Sequence, residues 1–594
     1  MMPQSERPTP RGSTELATIL ACALALWVLK FVVIDVCHFT GRQALEFLAY
    51  FVLIVTAIAG SAYQFLTARA CRERKWPHPH LCVSRRKDHR AVQKAWSQDA
   101  IVLGYDVQGK PWLWSDRTRV MQGIVLGMTG TGKTTLLCNI ITQDLFRVVG
   151  PPEDQHRIPI IILDGKADTD VFESLLPHIH RSGRLDQLRV INPSRPDISV
   201  RYNPFQSSET DYMSVVNMVF GAFNLRREFF AEHQLIYLAD IVRVLSYTGL
   251  KFNFYDVLVM AFDEQVLREQ VETASRRLEQ DKDISVQRKL NFEMSVRNLY
   301  QSFQDWERVP KIQGLLNECM AFLDDELSIV TGPYEDLLSL DEVIQQELIL
   351  YVLLNVNKKT KPVTALGKML LQNLQLIVGQ RYESQERSER PNQPLISIVL
   401  DEFAPFGYRN FPQILQTARG TNTAFLFSMQ SLSQLMHVGP GFKEDVASAP
   451  NTTMTLQTRD EETAQYFLKA SAEHRVRRRN VSMERWNFLG YERYEESGRA
   501  VDIEARETRA LDEHVKNMPK GQMQLLMTDE TCGTLHAHLH IRPPSDVRVP
   551  HFKPELYARL KQSRQTSIGA NLRFKSPRYQ DHRYRRRTFG DGRT

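Results

Sequence analysis

Two long apolar blocks fill the first seventy residues, and behind them the chain alternates short apolar runs with stretches of helical period. Residues 47–68 hold no charged side chain, which is long enough for a helix to cross about 30 Å of hydrocarbon. Residues 16–37 are equally apolar apart from Lys30 and Asp35, and read as a span whose Lys30 snorkels or as an uncleaved signal-like segment. No A-x-A-like site follows, which favours a span. Further on, residues 100–105 and 111–114 read as strands about a turn at 106–110 and lead to an apolar strand at Ile124-Val125-Leu126. Apolar runs at 160–164 and 188–192, separated by helix-like segments, suit buried parallel strands.

Between residues 207 and 331 the period switches. Helical spacing at 211–223, 228–248, 264–281 and 287–304, with few strand signals, predicts an all-helical insertion. Strands return at 348–354, 395–400, 424–429, 452–457 and 522–527, interleaved with helices such as 365–377. Residues 475–509 mix both charge signs with scattered aromatics and read as an exposed excursion. The pattern divides the chain into a transmembrane hairpin (1–70), a first core part (71–206), an all-α part (207–331), a second core part (332–545) and a basic, disordered tail (546–594).

Charge orients this arrangement. Nine Lys/Arg lie between Arg69 and Lys94 against only Glu73 and Asp88, so the large C-terminal part is expected on the cytoplasmic side of the membrane. The net charge is +6, but residues 551–594 hold twelve Lys/Arg against three Asp/Glu, leaving the rest slightly acidic. Such a tail suits nucleic acid or acidic lipid, or simply stays solvated. Seven scattered cysteines without a CxxC pair exclude a disulfide frame and a zinc knuckle.

The chemistry concentrates after two strands. Gly127-Met-Thr129-Gly130-Thr131-Gly132-Lys133-Thr134 follows an apolar strand and opens a helix, the setting in which GxxxxGK[ST] wraps a phosphate with backbone N–H groups. Lys133 then reaches the outer phosphates of a nucleoside triphosphate, and Thr134 holds Mg²⁺. The run 395–400 delivers Asp401 and Glu402 to the edge where ligands bind in such sheets. Asp401 would support Mg²⁺ and Glu402 would activate water. Gln430 ends the next strand, placed to sense phosphate or position water, and Arg419 stands between the two as a candidate finger across a subunit boundary. His536, His538 and His540 share one face of a strand without an acidic or thiol partner, more a solvated face than a zinc site. The run Asp164-Gly-Lys166-Ala-Asp168 either contacts nucleotide or Mg²⁺ or caps the next helix.

Two apolar N-terminal segments, Gly-Met-Thr-Gly-Thr-Gly-Lys-Thr-Thr, Asp-x-Lys, Asn-Pro-Phe, a helical insertion, Leu-Asp-Glu-Phe, Ala-Arg-Gly and Ser-Met-Gln-Ser-Leu together resemble the type IV coupling proteins of conjugation, the TraD/TraG-type ATPases. The resemblance covers roughly residues 14–545. It implies an α/β fold, a RecA-like P-loop NTPase domain with an all-α insertion behind a two-helix transmembrane hairpin, assembled as a homo-hexamer. It implies ATP and Mg²⁺ bound by Gly127, Thr129 to Thr134 and Thr135, with Asp401 on the metal. Catalysis falls to Lys133, Glu402, the sensor Gln430 and the finger Arg419. The implied work is ATP-driven delivery of relaxase-bound, single-stranded DNA, with relaxosome proteins, into a type IV secretion channel at the bacterial inner membrane. Many relatives carry Asp-Pro-Lys-Gly where this chain has Asp164-Gly165-Lys166-Ala167. Rival readings are a coupling ATPase for protein effectors, a chromosome-pumping translocase of the FtsK type, and a membrane scaffold that binds ATP without turnover.

Overall fold

The computed structural model describes scattered positions between 41 and 62, and residues 83–206, 211–223, 225, 228–281, 284–358, 360–384, 394–471, 473–488, 491–508, 515–529, 533–542 and 544; side chains between 472 and 514 are not described. The expected span at 16–37 and the basic tail lie outside the described residues. Residues 1–82 and 83–594 are two separate units. In the first, the described positions from 41 to 62 are helical and expose Leu45, Tyr50 and Leu53; no helix among the described residues is long and apolar enough to cross a membrane.

The strands of the second unit are β1 (Ala100–Tyr105), β2 (Pro111–Ser115), β3 (Gly123–Leu126), β4 (Val148–Val149), β5 (His156–Arg157), β6 (Ile160–Asp164), β7 (Leu188–Ile191), β8 (Ile349–Leu353), β9 (Ile396–Asp401), β10 (Thr423–Met429), β11 (Thr452–Thr455), β12 (Glu473–Phe488), β13 (Tyr491–Thr508), β14 (Gln522–Asp529) and β15 (Gly533–Ile541). Eleven form one sheet in the order β2-β1-β15-β14-β11-β3-β10-β9-β6-β8-β7. From β11 to β7 the neighbours run parallel, and β14, β15, β1 and β2 extend the β11 side as an antiparallel meander. The parallel strands read as unbroken apolar runs because both faces are covered. Ile124, Leu126, Ile161 and Leu163 belong to one core, while Val125, Ile160 and Ile162 belong to the core on the opposite face.

Helices fill the stretch from Tyr212–Ala222 to Asp325–Thr331, including Glu228–Tyr247, Glu264–Gln280 and Val286–Gln304. Their apolar faces join the core of the first sheet face without a break, so the insertion shares the sheet's packing. Three further helices, Phe254–Phe262, Arg308–Ala321 and Asp325–Thr331, escape the periodicity reading. Phe254–Phe262 is apolar nearly all round, so it lacks the polar stripe that marks a helix in sequence. The charged stretch expected as an excursion is the antiparallel ribbon β12–β13, which among the named strands pairs only with itself.

Candidate nucleotide site

β3 lies between β10 and β11, and the loop that follows it is clipped to both: Gly127 N–H donates to Met429 O at 3.3 Å, and Met128 N–H to Gln457 O at 2.9 Å. The loop therefore opens at a point where strand order switches, where sheets of this kind bind ligands. Its backbone needs glycine. Gly127, Gly130 and Gly132 have φ of +155°, +82° and +117°, and a Cβ on Gly127 would come within 2.8 Å of Leu456 Cβ. Helix Lys133–Phe146 starts directly behind, with Thr134 half-buried in its first turn. Thr131 Oγ1 is spent inside the loop, donating to Met128 O at 2.8 Å, and Lys133 Nζ donates to the carbonyls of Gly127 and Met128. Burial, then the nearby Lys166 ammonium, pulls the Lys133 amine below the usual lysine range against the pull of Glu402 and Asp401.

Asp401 is the last residue of β9 and Glu402 follows in a left-handed conformation, φ +56°, which turns its side chain off the strand line. Both are buried. Ser428 Oγ donates to Asp401 Oδ1 at 2.5 Å and accepts from Glu402 N–H at 3.2 Å, so one hydroxyl from β10 fixes both acids. Glu402 is held at both oxygens: Gln430 Nε2 donates to Oε1 at 3.1 Å, and Lys166 Nζ pairs with Oε2 at 3.0 Å. On the other side Asp164, the last residue of β6, stands in register with Asp401. Burial, and then the Asp401 charge, pushes the Asp164 carboxyl up to about 6.

Lys133, Thr134, Asp401, Glu402 and Gln430 thus come together at one sheet edge. Arg419 does not. It sits exposed in a short turn, Arg419–Thr421, ahead of β10, and Gln430 follows β10 at its other end, about 20 Å away at 3.3 Å per residue. Thr129, Gly130 and Thr135 are exposed around the loop. Sequence reading left Ser428 and the Lys166–Glu402 pair unassigned; a lone hydroxyl in Ala424-Phe-Leu-Phe-Ser-Met is the signal that marks Ser428. Asp168 caps helix Thr169–Arg181, accepting from the Asp170 and Val171 N–H groups. The histidine row lies along glutamines: His536 Nε2 and Gln524 Oε1 are 2.9 Å apart, as are Gln524 Nε2 and His538 Nδ1, with His538 Nε2 at 2.7 Å from Gln522 Oε1. Among the described residues no group of three His, Cys, Asp or Glu could hold a metal by itself.

Residues 109–519 match the family described as Type IV secretory system Conjugative DNA transfer. The chain belongs to that family. The type 4 coupling protein DotL of Legionella pneumophila is 20% identical over 453 residues, 68% of this chain and 56% of DotL. The chain thus spans little more than half of that relative's length. Among solved structures, the bacterial conjugative coupling protein TrwBdeltaN70 in its unbound form superposes with a TM-score of 0.51 at 14% identity, over 79% of this chain and 94% of that one. At that identity the likeness establishes a shared α/β fold.

Proposed function

We propose that this chain is a membrane-anchored ATPase that couples a DNA substrate to a type IV secretion channel and drives its transfer. The observation that carries the reading is the convergence of Lys133, Asp401, Glu402 and Gln430 from three strand ends on one glycine-built loop. The donor set fits a nucleoside triphosphate with Mg²⁺. The loop N–H groups and Lys133 offer positive partners to phosphate, and Thr134 with Asp401 offers oxygens to a cation that characteristically keeps waters and shares phosphate ligands. Bound Mg²⁺ would draw charge from the transferring phosphoryl group. Asp401, fixed by Ser428, is the side chain that would hold the metal's shell. Glu402 is aimed by its turn and by Gln430 to take a proton from the attacking water.

The DNA cargo and the secretion system are supported by the family's description, and the coupling role by the names of DotL and TrwB. Membrane anchoring is supported by the uncharged stretch 47–68, its exposed apolar helical positions and the basic residues behind it. Arg419, far from its own nucleotide loop and exposed, suits action on the site of a neighbouring copy in a ring, with a hexamer the expected state. Relaxase and relaxosome proteins are the partners this role requires.

The test is ATP turnover by the full chain in detergent, with and without single-stranded DNA, beside Lys133→Ala and Glu402→Gln. DNA-stimulated turnover lost in both variants supports a DNA motor. Turnover indifferent to DNA shifts the cargo to protein, and nucleotide binding without turnover at ring-forming concentrations overturns the ATPase reading.

A further inference from the structure

The loop after β6 is built to hold one lysine in place. Asp164 spends both carboxyl oxygens on it, Oδ1 accepting from Lys166 N–H and Oδ2 from Asp168 N–H, each at 2.9 Å. Gly165 N–H donates to Asp401 O at 3.1 Å. A Cβ on Gly165 would stand 2.9 Å from the Phe406 ring and 3.0 Å from Glu402 O, so the loop backbone is pressed against the peptide that carries Glu402. Lys166 keeps a third of its side-chain surface open, and its ammonium closes on Glu402 Oε2 at 3.0 Å. Glu402 is therefore gripped by a neutral amide on one oxygen and by a cation on the other.

We propose, building on the ATPase reading of this site, that Lys166 is a latch on Glu402 that the triphosphate opens. With the latch closed, the ammonium occupies the oxygen that must take the water's proton. A triphosphate on the loop offers Lys166 a denser negative charge than one carboxylate, beside Lys133, whose amine feels the Lys166 charge. Lys166 moves from this ion pair onto phosphate oxygen and frees Oε2, while Gln430 keeps Oε1 oriented. In the step that follows, water oxygen bonds to the terminal phosphorus, the bond to the bridging oxygen breaks, and the water proton passes to Oε2. ADP and phosphate are the products. The base is thereby available when substrate is present and capped when it is absent.

A double-mutant cycle on the full chain in detergent tests this, using the affinity for a slowly hydrolysed ATP analogue, ATPγS, and ATP turnover as readouts. Glu402→Gln is expected to tighten ATPγS binding on the order of tenfold where Lys166 is present, because the latch no longer competes. In the Lys166→Met background the same change is expected to tighten it less than about twofold. Lys166→Met, which leaves no ammonium to move onto phosphate, lowers kcat roughly tenfold or more, and Lys166→Arg, which keeps the charge, restores most of it. Equal tightening in both backgrounds, or Lys166→Met turnover equal to that of the unaltered chain, overturns the latch. A failure of the underlying reading shows separately, as an unaltered chain that does not hydrolyse ATP or a Lys133→Ala variant that binds it undiminished.

Discussion

Ser428 Oγ reaches Asp401 Oδ1 at 2.5 Å from the neighbouring strand while accepting the N–H of Glu402. The parallel pairing of β9 and β10 brings the two strands alongside, and the fully buried hydroxyl is the polar group that β10 offers to the acids. Ser428→Ala leaves a buried carboxylate short of a donor, at a cost of about 1–3 kcal/mol. We expect a lower Tm and a kcat at least tenfold down with nucleotide affinity changed less; unchanged kcat would show that Asp401 is positioned by other contacts.

Asp164 makes stability depend on pH. Its folded-state carboxyl titrates near 6, above the ordinary value of 3.8. Between those values the folded state binds more protons than the unfolded state, so this group's contribution is complete below the unfolded value and falls as pH rises through about 6. The loss between pH 5 and 7 is roughly 1.4 kcal/mol. Asp164→Asn removes the titration. The Tm difference between the two proteins should move in favour of the asparagine variant from pH 5 to pH 7, and parallel curves would refute the assignment.

The entry to the nucleotide loop is pinned by buried charge. Arg119, just ahead of β3, makes a two-pronged contact with Asp144 on helix Lys133–Phe146, at 2.8 and 2.5 Å, and Arg147 pairs with Asp116 at 2.6 Å. Burial works against Asp144 as a charged group, yet Arg119 holds its carboxyl below the usual range. Arg119→Met should cost about 3–5 kcal/mol by leaving buried Asp144 with the longer Arg147 contact at 3.5 Å, and Arg119→Met with Asp144→Leu should recover much of it. Chemical unfolding of the unaltered chain and the two variants measures both values; an unaffected single variant would show the pair to be expendable.

Arg419 acts, on our reading, in the neighbouring copy. Arg419→Ala and Glu402→Gln should each abolish most ATP turnover alone, and mixing the two should restore part of it, because some sites in mixed rings draw Glu402 and Arg419 from intact copies. No recovery on mixing, with assembly verified by size, would place Arg419 outside the reaction.

Much of the site was legible because its parts are local. The P-loop is eight consecutive residues between a strand and a helix, and the acids follow directly on an apolar strand, so spacing alone carries them. The helical stretch behind Ser207 showed itself wherever a helix has one wet face; Phe254–Phe262, apolar nearly all round in composition, did not.

The sequence by itself determined the glycine-rich loop, the acidic pair, the order of the apolar core strands and of four helices in the insertion, and the two apolar blocks, each written in the periodicity of a few neighbouring residues. Tertiary structure alone decided that β10 and β11 flank β3, that Asp164 faces Asp401, that Ser428 serves both acids, that Lys166 caps Glu402, and that Arg419 lies at the far edge. These relations join residues tens to hundreds of positions apart through strand order and register, which depend on how whole faces pack rather than on any local pattern.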